Sequence, residues 1–178
     1  MSDIIDIEIV IDTANLLAVN SSPSTNPANP TWVGHNYAYM VAPNAYVRSG
    51  QASGDLSISA DVGDTIRWRM ISQSGNTSYS ANLTNITYLS GSHIIADPKG
   101  QLIQPQTPVP GMTPGTIALP PSGNQAYVST PQYDFYITTD IVTAGTENYS
   151  VLFAVYYYHA SALTLKGYFA WDPTITAS

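Results

Sequence analysis

"SGDLSISADVGDTIRWRMIS", residues 53–72, alternates apolar and polar side chains on both sides of a turn. Leu56, Ile58 and Ala60 interleave with Asp55, Ser57 and Ser59. After Asp61-Val62-Gly63-Asp64, Ile66, Trp68 and Met70 interleave with Arg67 and Arg69. A period of two sends successive side chains to opposite faces, which a strand does and a 3.6-residue helix does not. The stretch reads as two half-buried strands joined at "DVGD", where a turn carboxylate accepting backbone N–H bonds accounts for Asp61 and Asp64 without a metal.

The same period recurs on either side. "IIDIEIVI" (4–11) puts Ile5, Ile7, Ile9 and Ile11 on one face, with Asp6 and Glu8 on the other. "SYSANLTNITYL" (78–89), "QYDFYITTDI" (132–141), "NYSVLFAVYYYHA" (148–160) and "LTLKGYFAWDP" (163–173) are rich in the β-branched and aromatic residues that suit a pleated surface. A short helical turn is expected at "TANLLAV" (13–19). The sum is an all-β chain of roughly eight strands in an antiparallel two-sheet β-sandwich, jelly-roll-like, forming one domain over residues 1–178. Residues 97–126 hold seven of the thirteen prolines and form a long loop that cannot be a central strand, since proline lacks the ladder donor. Its Leu102, Ile103, Val109, Met112, Ile117 and Leu119 suggest that it lies extended over a sheet face or a neighbouring subunit.

Composition narrows the function. The 178 residues are 44% hydrophobic and 10% charged, with a net charge of −7 and five basic residues; a typical globular chain is about 25% charged. So few cations argue against nucleic acid and against an anionic membrane surface. No cysteine is present, which removes disulfides, thiolate metal sites and a cysteine nucleophile. The acidic N-terminal stretch lacks the basic start and unbroken apolar run of a secretory signal, and no apolar run reaches the ~18 residues of a membrane span, so a cytoplasmic protein is expected. No nucleophile elbow, P-loop or dinucleotide fingerprint appears, and the three histidines, His35, His93 and His159, have no metal-ligand spacing. The chain reads as no enzyme.

Two stretches could bind something. "TTDIVTAGTENYS" (138–150) places Asp140, Thr143, Thr146, Glu147 and Asn148 in a loop, where Asp140 and Asn148 could supply hard oxygen ligands to calcium and a loop-held calcium could bind sugar hydroxyls. The plain alternative is an ordinary hairpin loop with Gly145 at positive φ. "NPTWVGHNYAYMVAP" (29–43) brings His35, Tyr37 and Tyr39 together as a polar-aromatic candidate. The alternative is a strand over 36–42, with Tyr37, Tyr39 and Val41 on one face. Thirteen tyrosines against three phenylalanines suit sheet surfaces, subunit contacts or sugar stacking.

"H-x-Y-x-Y-M-V" at 35–41, "GDxxxxxxVGDxIRWR" at 54–69 and "YFxWDPxI" at 168–175 carry a resemblance to the AidA / PixA family of bacterial inclusion body proteins. It runs over nearly the whole chain and covers 97–126 least. The resemblance implies bacterial proteins, some induced by quorum signals and linked to stress or host association, with no family activity and no site residues to carry over. The methionine-rich character implied for some inclusion-forming members is missing, with only four methionines here. Two functional expectations follow: a lectin-like carbohydrate-binding module, using calcium or no cofactor, and a self-associating protein that forms homo-oligomers or inclusions.

Overall fold

The computed structural model describes residues 2–110, 127–159 and 162–178. The chain divides into two compact units, Met1–Gly100 with Tyr136–Ser178, and Gln101–Phe135. In chain order the elements are β1 (Ile4–Ile11), α1 (Thr13–Val19), β2 (Thr31–Trp32), β3 (Ala38–Val41), β4 (Val47–Ser49), β5 (Ser57–Ala60), β6 (Thr65–Ser72) and β7 (Tyr79–Gly91). There follow β8 (Lys99–Ile103), β9 (Gln106–Pro110), β10 (Tyr127–Pro131), β11 (Asp134–Asp140), β12 (Gly145–His159), β13 (Ala162–Trp171) and β14 (Thr174–Ala177).

The larger unit is built on two sheets. One runs β3–β1–β6–β11. In the other, β12 is the long central strand: β7 lies along one edge, and β13 and β14 in turn along the other. β2 extends the sheet beyond β13, and β5 with β4 beyond β14. The all-β, two-sheet reading holds, with one difference in detail. β1 with β6, β2 with β13 and β5 with β14 pair in parallel, so the sheets are mixed rather than antiparallel throughout. The described residues form fourteen strands, more than the eight expected. Several are too short to show a periodic pattern.

Alternation in sequence becomes alternation in burial. Ile5, Ile7, Ile9 and Ile11 are at most 1% exposed, and parallel pairing sets Ile5 beside Ile66 and Ile7 beside Trp68. Full burial of such a side chain contributes about 1.5–3 kcal/mol. Trp68 Nε1–H donates to the Tyr149 hydroxyl at 3.2 Å, joining β6 to β12 through the core. Phe153 stacks on Phe169 and meets the edge of Trp171, a fully buried aromatic cluster in the core. Helix α1 is where the short helical turn was expected. Its N-cap, Asp12, accepts from the Asn15 backbone N–H, and Leu16 is buried.

Three local expectations are revised. His35–Tyr37 is a single 3-10 turn, and the strand begins only at Ala38, so 36–42 is not one strand. In the stretch 138–150 only residues 141–144 lie between strands; Thr146 and Asn148 belong to β12. The proline-rich region is not structureless up to Pro110, since β8 and β9 fall within it; residues 111–126 lie outside the described residues. In the smaller unit β9 pairs antiparallel with β10 in a two-stranded ribbon. Proline is tolerated there because each strand has an open edge.

β7 is interrupted twice. Along β12 the partners step from Leu152↔Asn85 to Phe153↔Leu83, and from Asn148↔Ser90 to Tyr149↔Tyr88. Thr84 and Leu89 are therefore the extra residues of two bulges, which bend a strand and raise its twist.

Candidate functional site

Three arrangements on the larger unit could carry function. The first is the outward face of the sheet holding β7, β12, β14 and β5. Asn148 Nδ2 donates to Ser90 Oγ at 3.0 Å, and Asn148 Oδ1 accepts from Thr174 Oγ1 at 2.7 Å. Two residues along, Thr146 and Thr176 share a hydroxyl contact at 3.2 Å. Register carries both rows onto β5, with Ser57 beside Thr174 and Ser59 beside Thr176. The two rows, Ser90–Asn148–Thr174–Ser57 and Thr146–Thr176–Ser59, are built of hydroxyls and one amide, with no charged side chain. Such a surface arises because Glu147 and Ile175 turn inward between these residues.

The outward face of the other sheet is the opposite case. Asp6 on β1 receives Arg67 Nε and Nη2 at 2.8 and 2.7 Å, and Arg69 Nη1 at 2.6 Å. Both guanidinium groups lie over the Tyr136 ring. Partial burial raises the Asp6 carboxyl, but hydrogen bonds from the two arginines outweigh it and hold the group below the ordinary carboxylate range.

The second arrangement is a histidine between two carboxylates. His35 Nδ1 lies 2.5 Å from Asp55 Oδ1, and Nε2 lies 3.1 Å from Asp172 Oδ1. The cluster ties the turn before β3 to the approach to β5 and to the link between β13 and β14. Gly54 makes the close approach possible: a Cβ there would sit 2.3 Å from the His35 carbonyl oxygen. With both ring nitrogens engaged by carboxylates, His35 ties three separate segments of the larger unit together.

The third is a cleft of ≈ 340 Å³ beside β7, lined by Asn85, Ile86, Tyr88, His93, Ile95 and Asp97 among others. Tyr88 and His93 stack at 4.8 Å between centroids. Under the cleft, Glu147 is fully buried, and its Oε2 accepts from the backbone N–H groups of Ile94 (2.7 Å) and Ile95 (3.3 Å). Its Oε1 has no partner among the described residues.

The candidates from sequence are dispersed. Asp140 ends β11 and accepts from Thr65 Oγ1 at 2.7 Å, while Asn148 sits on the other sheet with both ends of its amide engaged. Thr143 is exposed in the turn, Thr146 lies in the hydroxyl row, and Tyr37 follows His35 in the 3-10 turn, partly buried against the core. Among the described residues no three His, Asp or Glu side chains form a metal-ligand group. Asp55 and Asp172 were missed as partners of His35. A signal was present all the same, because each of the three quoted motifs contributes one member of that cluster.

The family model for PixA, described as inclusion body protein, matches residues 3–177. The chain belongs to this family of inclusion body proteins. The crystal structure of an inclusion body protein from Burkholderia cenocepacia J2315 is similar over 99% of this chain and 97% of that chain, with a TM-score of 0.82 and 24% sequence identity. At that identity the likeness establishes the shared fold. No curated protein matches the chain.

Proposed function

We propose that the chain is a non-enzymatic, self-associating structural protein whose copies pack through the charge-free hydroxyl face of β7, β12, β14 and β5. The observation that carries this reading is the segregation of charge. A chain of net charge −7 repels its copies, and the rows Ser90–Asn148–Thr174–Ser57 and Thr146–Thr176–Ser59 offer hydrogen-bonding groups without like charges meeting. Membership of an inclusion body family supports a second copy as the occupant. Hydroxyls already linked along a sheet row keep spare lone pairs, so a facing copy can complete them at little entropic cost.

Sedimentation velocity over a concentration series tests it. The wild type should form reversible oligomers, and Ser57→Glu with Thr176→Glu should return the protein to monomer while melting temperature stays near that of the wild type. A wild type that remains monomeric at millimolar concentration overturns the proposal, as does a folded double variant that assembles unchanged.

A further inference from the structure

We infer that the cleft beside β7 is a preformed saccharide site, with Tyr88 and His93 as its ring wall and Asp97, His93 and Asn85 as its hydroxyl partners. This goes beyond self-association and does not depend on it.

The backbone around the cleft is anchored at almost every residue. Ser92 N–H reaches the Thr146 carbonyl at 2.8 Å, and the Ile94 and Ile95 N–H groups reach Glu147 Oε2. The Ile94 carbonyl accepts from Val142 N–H at 2.8 Å, and Ala96 N–H donates to the Asp140 carbonyl at 2.9 Å. The Ala96 carbonyl accepts from Thr139 Oγ1 at 2.6 Å. A buried carboxylate with one unpartnered oxygen is a costly way to hold two amides. What it secures is the position of His93 and Asp97 on either side of it. Glu147 is thus a positioning residue for the cleft.

The side chains this segment presents are open. Among the described residues the Asp97 carboxylate and the His93 ring nitrogens take no hydrogen bond, nor does Asn85 Nδ2, although Asn85 Oδ1 caps Ile86 N–H at 2.9 Å. Ile86 and Ile95, 1% and 3% exposed, close the base of the cleft. A ring wall over a closed base, with donors and acceptors open at the rim, matches a pyranose, which has a C–H face and a hydroxyl edge. The volume falls in the range of small-ligand sites. Phosphates and other anions are disfavoured by Asp97 and by the overall negative charge. A purely apolar ligand would leave three polar groups unmet.

The test is a titration of the full chain with galactose, glucose, mannose, N-acetylglucosamine and their short β-linked oligomers, followed by two-dimensional NMR. At least one probe should give saturable shifts at the Ile86 and Ile95 methyls and at the His93 ring, tightening from monosaccharide to oligomer. Asp97→Ala and His93→Ala, both at exposed positions, should each weaken binding roughly tenfold or more, since each removes a hydrogen-bond partner of the ligand. Ser59→Ala, on the hydroxyl face, should bind as the wild type does. The inference is overturned if no probe shifts these resonances, if the shifts map elsewhere, or if the folded Asp97→Ala variant binds unchanged. Shifts produced by a quaternary ammonium such as choline and by no sugar would also overturn it, marking a cation site.

Discussion

His35 and Asp172 are 137 positions apart in sequence, yet His35 Nε2 and Asp172 Oδ1 lie 3.1 Å apart, with Asp55 on the other ring nitrogen. The link between β13 and β14, where Trp171 gives way to Asp172 and Pro173, is thereby held to two distant turns. The side chains are partly exposed, at 32% for His35, 70% for Asp55 and 51% for Asp172, so water screens each pair. A double-mutant cycle with His35→Gln and Asp172→Asn, read by urea unfolding, should give a coupling of about 0.5–1 kcal/mol. A coupling of zero would mean that the contact contributes nothing to stability.

Gly54→Ala should be more damaging than either of those substitutions. Its new methyl would meet backbone at 2.3 Å, where no side-chain rotation relieves the clash. We expect a loss of about 1–3 kcal/mol, measured by the same unfolding experiment.

Acid should weaken the charged sheet face through Asp6. Its carboxyl titrates lower when folded than when unfolded, so its stabilisation is complete above the unfolded pKa and is lost as pH falls through the folded one. Denaturant unfolding followed downward in pH should therefore show the wild type losing stability across the acid range. The Asp6→Asn variant, less stable at neutral pH, should lose less over the same range. Parallel curves for the two proteins would contradict this assignment.

Glu147→Ala should cost about 2–3 kcal/mol, because the Ile94 and Ile95 N–H groups lose their acceptor in a dry environment. Hydrogen exchange separates this from a general loss of packing: protection at Ile94 and Ile95 should fall more than protection along β1.

Phe153→Ala removes a ring stacked on Phe169 and edge-on to Trp171 at the centre of the core. A loss of about 3–5 kcal/mol is expected by thermal or chemical denaturation. A loss under about 1 kcal/mol would mean that the aromatic cluster is less tightly packed than its geometry indicates.

Legibility in the sequence followed the locality of the forces. The isoleucines of β1 and Ile66 and Trp68 of β6 announce their burial, because alternation is a property of neighbouring residues; Met70, on the same side, is only partly buried. The parallel pairing of β1 with β6 does not show, since it depends on which distant strand offers a matching face. Glu147 and its neighbours read as a loop for a definite reason. Outward Thr146 and Asn148 flank an inward carboxylate, so the strand shows polar residues on both faces and its period vanishes. The partners of His35 were hidden by their distance along the chain. The cleft gave no local sign, since Tyr88, His93 and Asp97 come together only when the segment after β7 folds back.

The two bulges of β7 bear on what dense packing of this chain can become. A straight, evenly spaced row of open amides is the template for endless strand-by-strand growth, and Thr84 and Leu89 break that row into short, differently aimed pieces. Asn85 and Asn76 side chains also accept from the Ile86 and Ala81 N–H groups of the same strand. Growth of a fibre by strand addition along β7 is therefore disfavoured.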